Sequence, residues 1–371
     1  MIGQSQSGTG KTAAFVLTML SRIDYNLIQV QAICLAPTRE LARQIVDVVK
    51  EMGKFTPVKV CLAVKEAVQK GDKLADHVVV GTPGTVMDLL RRKALDARSV
   101  RVFVLDEADN MLDLQGMGEQ SLRVKKYAFL DYRSFLRFAD VGISFIPKTA
   151  QVLLFSATFP DQVRAFAQRF SPNANEITLK TEELSVKEIK QLYMDCRDEQ
   201  HKYEVLVGLY GVMNIGQSII FVARRDTADE IARRMTADGH VVTVLHGARD
   251  AAERDSVMDS FRSGKSKVLI STNVLSRGID VNQVNMVINY DLPVDARGNP
   301  DFETYLHRIG RTGRFGRQGV SIAFIHDRKS WAELDAFQKY FGVEMVKIPT
   351  TDWEETEEMI KAGMSMFQVR D

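Results

Sequence analysis

Cysteine is scarce in this 371-residue chain, long apolar runs are missing, and neither sign of charge dominates. Each shortage excludes something. The three cysteines, Cys34, Cys61 and Cys196, stand far apart with no Cys-x-x-Cys pair. That pattern makes neither a disulfide framework nor a zinc site, and it fits a reducing compartment. Apolar runs such as Val152–Phe155 and Ile219–Val222 are far too short to cross a membrane, so no membrane insertion is expected. A Gly- and Ser-rich stretch follows Met1-Ile2 where a signal peptide would need an apolar segment. The formal net charge is +1, so binding to nucleic acid would have to rest on local constellations of residues. There is no short-period repeat and no low-complexity tract.

What is present is alternation. Short β-branched runs are separated by amphipathic helical stretches, the pattern of parallel sheets with crossover helices, which predicts an α/β fold. Strands are expected at Ala32–Leu35, Val58–Leu62, His77–Val80, Val102–Leu105 and Val152–Phe155. A second series is expected at Gln191–Asp195, Ser218–Val222, Val241–Leu245, Lys267–Ser271, Val284–Tyr290 and Ser321–Ile325. Between the series lies a polar stretch without pattern, LKTEELSVK, read as a linker over residues 179–187. Two α/β domains of similar size are therefore expected, 1–178 and 188–371, and their ligands belong beyond the carboxyl ends of the strands.

Four short motifs fall at such places. Ser5-Gln6-Ser7-Gly8-Thr9-Gly10-Lys11-Thr12 runs into a helical stretch, Ala13–Ile23. Glycines there let successive N–H groups face a phosphate chain, Lys11 reaches the β- and γ-phosphates, and the Thr12 hydroxyl ligates Mg²⁺; the bland alternative is a Gly-rich turn. Val102–Leu105 leads into Asp106-Glu107-Ala108-Asp109. Asp106 is placed to hold Mg²⁺ and Glu107 to orient and deprotonate an attacking water, against the plainer reading of acids at a helix start. Ser156-Ala157-Thr158 offers two small hydroxyl residues able to bond Asp109, though such a segment alone is usually a loop cap. Finally, His307-Arg308-Ile309-Gly310-Arg311-Thr312-Gly313-Arg314 spaces three arginines every third residue, so that they should project on similar sides of a helix. Guanidinium groups suit phosphate oxygens; the alternatives are a solvated basic helix and a structural His307.

In this order the motifs resemble the DEAD-box ATP-dependent RNA helicases over essentially the whole chain. Further matching segments are Pro37-Thr38-Arg39-Glu40-Leu41, Thr82-Pro83-Gly84, Ser271-Thr272-Asn273 and Arg277-Gly278-Ile279-Asp280. The resemblance implies two tandem RecA-like domains, each a mostly parallel sheet flanked by helices, in a monomer that clamps single-stranded RNA while ATP and Mg²⁺ are held. It implies that Ser7, Gly8, Thr9, Gly10, Lys11, Thr12, Gly278 and Asp280 serve the nucleotide, with Thr12 and Asp106 for the metal. Glu107, Asp109, Ser156, Thr158, His307, Arg311 and Arg314 serve hydrolysis, the last two as arginine fingers. Arg39, Thr82, Gly84, Arg254 and Thr272 match positions that touch RNA, mostly its backbone.

Within the family the second half is most similar to the helicase of nuclear mRNA export at the cytoplasmic face of the nuclear pore. The segments that carry this are Pro172–Asp195, Thr227–His240 and Asn282–Pro293. The partners so implied are an export mediator acting with inositol hexakisphosphate and a cytoplasmic-face nucleoporin, in the cytoplasm, the nucleus and at the nuclear envelope. Three features depart from the family pattern. The upstream aromatic and glutamine segment that recognises adenine is absent, as is much of the first strand, so a truncated chain or misplaced start is expected, with an exposed sheet edge. The alternative function is then a catalytically impaired module that only binds RNA or the pore. Val64-Lys65-Glu66-Ala67 replaces a glycine-containing RNA loop and brings an acid near phosphates; Glu253, where glutamine is usual, is a milder change of the same sign. Residues Tyr127–Ser144 form an aromatic-rich insertion, read as a translated intron rather than a docking helix.

Overall fold

The computed structural model describes residues 1–4, 9–69, 71, 73–113, 117, 120–121, 124, 149–178, 189–212, 216–273, 284–313 and 318–364. The expected linker, the 127–144 insertion, and Ser7, Gly8, Gly278, Asp280 and Arg314 lie outside them. The chain divides into two compact units, Met1–Lys180 and Thr181–Asp371. In the first, β1 (Ile2–Gln4), α1 (Lys11–Arg22), β2 (Ala32–Leu35), α2 (Arg39–Met52), β3 (Val60–Ala63), β4 (Val78–Gly81), α3 (Pro83–Arg91), β5 (Val102–Leu105), α4 (Ala108–Asp113), β6 (Gln151–Ser156), α5 (Asp161–Phe170) and β7 (Glu176–Ile177) follow one another. The second has β8 (Ile189–Asp195), α6 (Glu199–Val212), β9 (Gln217–Phe221), α7 (Arg225–Ala237), β10 (Val242–Leu245), α8 (Ala251–Arg262), β11 (Val268–Ser271), β12 (Val284–Asn289), α9 (Phe302–Ile309), β13 (Gly319–Ile325), α10 (Arg328–Phe341), β14 (Val346–Ile348) and α11 (Trp353–Met364).

Each unit contains one seven-stranded sheet, in the order β3-β4-β2-β5-β6-β1-β7 and β10-β11-β9-β12-β13-β8-β14. All the pairings are parallel. Counted from its own first strand, each unit has the same order, so the two are copies of one topology. Every strand therefore delivers its carboxyl end to one edge of its sheet.

The two-residue period of a strand divides the core. Ile33, Leu35, Phe103 and Leu105 face one side, with α3 and α5 supplying Val86, Leu90, Phe166 and Phe170. Ala32, Cys34, Val102 and Val104 face the other, against Phe15, Met19, Ile45 and Val49 of α1 and α2. A strand covered on both faces is apolar throughout, which is why β2, β4 and β5 read as continuous runs. Complete burial of each such side chain is worth about 1.5–3 kcal/mol, so these strands are rigid supports for the loops they end in.

The structure moves some expected boundaries for identifiable reasons. β3 starts at Val60 because Lys59 instead donates its N–H to His77 Nδ1 at 2.9 Å, which also keeps His77 outside β4. β4 runs on to Gly81, where a Cβ would lie 2.1 Å from the Ala63 carbonyl oxygen. The edge strands β7 and β14 have two and three residues, too few for a periodic signal. One expectation is corrected outright. β1 is not a gap at a sheet edge: Ile2–Gln4 pair with β6 on one side and Ile2–Gly3 with β7 on the other. The edges of the first sheet are β3 and β7.

Candidate functional site

The carboxyl ends of β1, β5 and β6 carry the first cluster. Gly10 takes φ 93°, a left-handed conformation open to glycine, and caps α1, whose first turn holds no acidic residue. A helix start without acids and with a lysine as its first residue, Lys11, attracts anions. Thr12 follows, half-buried like Lys11. β5 leads into Asp106, which is buried and accepts the Glu107 N–H at 3.0 Å. Burial, and next the charge of Glu107, push the Asp106 carboxyl up to about 7 against the pull of Lys11.

Glu107 is held with φ 51°, an unusual conformation for a side chain of that size. Its Oε2 is buried without a hydrogen-bond partner among the described residues. An oxygen in that condition is an acceptor ready for a water or a hydroxyl. The Glu107 carbonyl accepts the Met111 N–H at 3.1 Å and so opens α4. The acids are thus at a helix start as well as at a strand end, and the bland and the functional readings describe one feature.

Asp109 is the hinge of this cluster. Thr158 donates both its hydroxyl, at 2.7 Å, and its N–H, at 3.2 Å, to Asp109 Oδ2. Ser156 Oγ accepts the Asp109 N–H at 3.1 Å. The end of β6 is thereby tied to the segment after β5 by three bonds around a buried carboxylate. Gln4, at the end of β1, adds a 3.4 Å bond to the Ala157 carbonyl.

The ends of β2, β3 and β4 form a separate group on the same edge. Arg39 Nη1 donates to the Lys65 carbonyl at 2.9 Å. Thr82 caps α3, its N–H reaching the Ala63 carbonyl at 3.1 Å, and Pro83 and Gly84 follow. A Cβ on Gly84 would meet Gln120 Oε1 at 3.2 Å. Arg39, Thr82, Gly84 and the Lys65-Glu66 turn are therefore brought together. Glu66 has φ 71°. The sheet order puts this group on the β3-β4-β2 half and the Lys11–Asp106 cluster on the β5-β6-β1 half.

The second unit repeats that division. Arg254 sits on α8 after β10 and Thr272 follows β11, both half-buried; His307 and Arg311 follow β12 and are buried. Here the spacing of the arginines misleads. α9 ends at Ile309, with Gly310 as its cap, so a three-residue repeat does not align Arg308 with Arg311. Arg308 is 1% exposed. Its Nη1 donates to Asn289 Oδ1 at 3.0 Å and to the Asp291 carbonyl at 2.7 Å, its Nη2 bonds Asn273 Oδ1, and the group lies 4.9 Å from the centre of the Phe221 ring. Burial lowers its pKa to about 9, with Asp291 and Asp301 opposing, and it stays cationic at neutral pH. It is a structural cation, and its partners were not foreseen. Arg311 Nε donates to the His307 carbonyl at 2.8 Å. Gly319, also unforeseen, leaves room for the turn: a Cβ there would stand 2.3 Å from Thr312 Oγ1.

Comparison with known proteins agrees with this arrangement. Residues 1–166 match the DEAD/DEAH box helicase family and 201–316 the helicase conserved C-terminal domain. The ATP-dependent RNA helicase dbp5 of Schizosaccharomyces pombe is 61% identical over 366 residues, 99% of this chain and 69% of that protein. The chain belongs to the DEAD-box ATP-dependent RNA helicases. It is in consequence an RNA-dependent ATPase, and its two sheets are the tandem RecA-like domains of the family. Among solved helicases, S. cerevisiae Dbp5 bound to RNA and ADP BeF3 is 54% identical, with a TM-score of 0.89 over 98% of this chain and 88% of that one. A variant of the same helicase, bound to Nup159, a Gle1 variant, IP6 and ADP, is 51% identical, with a TM-score of 0.66 over 98% of this chain and 89% of that one.

Proposed function

We propose that this helicase clamps single-stranded RNA and remodels RNA–protein complexes during export of mRNA through the nuclear pore. The observation that carries this reading is the 61% identity to a dbp5 that extends over 99% of the chain. In the proposed mechanism Thr9, Gly10, Lys11 and Thr12, with Ser7 and Gly8, bind the phosphates of ATP, and Gly278 and Asp280 complete the nucleotide contacts. Mg²⁺ fits the donor set here: a carboxyl and a hydroxyl are hard oxygen ligands, and the Asp106 carboxyl is held partly protonated by burial and then by its acidic neighbour Glu107, a penalty that a cation removes. Thr12 and Asp106 would hold the ion, which supplies charge neutralisation on the phosphates. The unpartnered Oε2 of Glu107 takes the proton of the attacking water. Arg311 and Arg314 stabilise charge on the transferring phosphate, and His307, whose carbonyl accepts from Arg311, serves the same step. Asp109, Ser156 and Thr158 connect this chemistry to RNA held by Arg39, Thr82, Gly84, Arg254 and Thr272.

The partners follow from what S. cerevisiae Dbp5 is bound to: a Gle1-like export mediator with IP6 and a Nup159-like nucleoporin. The location proposed on this basis is the cytoplasmic face of the pore, with the cytoplasm and the nucleus. The test is acute depletion of this helicase followed by in situ detection of poly(A) RNA. Nuclear accumulation within one round of export is the expected result. Poly(A) RNA that stays cytoplasmic overturns the assignment to export and leaves the ATPase unaffected.

A further inference from the structure

The loop from β10 to α8 holds a charge arrangement that no motif accounts for. His246 Nδ1 accepts the Ala248 N–H at 3.3 Å, and its Nε2 is 3.2 Å from both carboxylate oxygens of Asp229 on α7. Asp250 caps α8, accepting the Glu253 N–H at 2.8 Å while Glu253 Oε2 accepts the Asp250 N–H at 3.1 Å. Three carboxylates, Asp229, Asp250 and Glu253, thus crowd the start of the helix that carries Arg254. Arg249 stands among them. Its Nη2 is 3.6 Å from Asp229 and its Nη1 is 3.8 Å from Glu253. Those separations make ion pairs without hydrogen bonds, and the Nε is buried with no acceptor among the described residues. The guanidinium is placed by charge and not by directional bonding.

From this we infer that Arg249 is an electrostatic positioning residue: it neutralises Glu253 so that Arg254 can hold an RNA phosphate beside an acid. The inference rests on the assignment of Arg254 to RNA. The capping box needs an acceptor at position 253, which glutamine provides as well as glutamate. The negative charge of Glu253 therefore contributes nothing that the cap requires, and next to a polyanion it is a cost. Arg249 removes that cost without spending its donors on the loop. A single unit charge near a surface phosphate changes affinity by about threefold at low salt, and the effect fades as the Debye length shortens.

The experiment measures binding of the full chain to fluorescein-labelled oligouridylate by anisotropy, with ADP and beryllium fluoride, at low and at high salt. Arg249→Ala should weaken binding about threefold at low salt and little at high salt. Glu253→Gln in that background should restore it, while all variants melt within a degree of the parent. A loss that Glu253→Gln does not restore overturns the inference and makes Arg249 a direct phosphate contact. In that case the slope of log affinity against log salt falls by about 0.7. Unchanged affinity in Arg249→Ala, with Arg254→Ala weakened, also overturns it. Unchanged affinity in Arg254→Ala removes the RNA assignment itself, and the inference with it.

Discussion

Replacing Glu66 by glycine should make the protein both more stable and better at holding RNA. Val64-Lys65-Glu66-Ala67 is a tight turn closed by the Ala67 N–H on the Val64 carbonyl at 3.1 Å. Glu66 is its third residue and has φ 71°, while Lys65 is not among the residues of positive φ. That is the pattern of a type II turn, which places glycine at the third position because a Cβ is unfavourable there. The left-handed conformation costs a side-chain-bearing residue roughly 1–2 kcal/mol. Glycine gives back about 0.4–1 kcal/mol through the greater freedom of the unfolded chain. The net gain is about 0.5–1 kcal/mol. In a unit of this size it raises Tm by about 1–4 °C. The ion pair of Glu66 with Lys65, 3.9 Å between side chains that are 67% and 91% exposed, is too solvated to oppose this.

The turn is held to α2 by Arg39, so the charge of Glu66 lies close to a residue assigned to RNA. Removing it should increase affinity for oligouridylate about threefold at low salt. Glu66→Ala separates the two effects. Alanine removes the charge but keeps the Cβ, so it should share the gain in RNA affinity and not the gain in Tm. Differential scanning calorimetry and anisotropy on the three proteins are sufficient. Equal melting of the glycine and alanine variants refutes the argument from backbone strain, and unchanged RNA affinity in both refutes the argument from charge.

Three further outcomes are expected. Glu107→Gln should abolish turnover and retain ATP and RNA binding, since an amide keeps the shape but cannot accept the water's proton; wild-type turnover in a phosphate-release assay removes Glu107 from that role. Asp106 is raised to about 7, so between pH 4 and 7 the folded nucleotide-free protein binds the proton that the unfolded chain has lost, and stability falls as pH rises through that window, with a slope of up to about 1.4 kcal/mol per unit. Asp106→Asn should flatten the slope in urea titrations, and an undiminished slope assigns it to other groups. Arg308→Lys should destabilise the second unit by about 2–4 kcal/mol, because an ammonium cannot reach Asn273, Asn289 and the Asp291 carbonyl together; a variant that melts with the parent contradicts a structural role.

The sheets were legible because most of their strands are covered on both faces and read as apolar runs. Ala32–Leu35 and Val102–Leu105 were found with the right ends. The common location of the first unit's motifs was legible because parallel strands place every motif after a strand at one edge. What could not be read was anything decided across the sheet. The bond from Lys59 to His77 and the clearance between Gly81 and Ala63 depend on register, which the residues of a single strand do not specify. The burial of Arg308 depends on where α9 stops. Its spacing from Arg311 fits a helix, and only the cap at Gly310 separates a buried cation from the next arginine. Glu66 was noticed for its charge, whereas its backbone conformation becomes visible only in the turn.

The common strand order of the two units raises a question that the order also answers: why the glycine-rich segment proposed to bind phosphates follows the first strand of one unit and not of the other. β8 and α6 stand in the second unit where β1 and α1 stand in the first, and β12 stands where β5 does. After β1 come glycines and a helix start free of acids; after β8 come Cys196-Arg197-Asp198 and then Glu199. Asp198 Oδ1 accepts the His201 N–H at 2.8 Å, so a carboxylate of the chain itself takes a donor of the kind that α1 offers. In the first unit the charge of Lys11 acts on the buried Asp106 and opposes the rise of its pKa. In the second, Lys202, in the first turn of α6 and 1% exposed, bonds Asp291 at 2.7 Å and Glu199 at 3.1 Å, with the Tyr290 ring 4.3 Å from its Nζ. Asp291 Oδ2 also accepts the Ala223 N–H at 2.8 Å. A lysine and an aspartate here form a closed internal salt bridge. The negative charge that an anion would bring to the first unit is built into the second as Asp198, Glu199 and Asp291. Its helix start is stabilised without a ligand, and the chemistry proposed for its sheet edge falls to the segment after β12, where His307 and Arg311 lie.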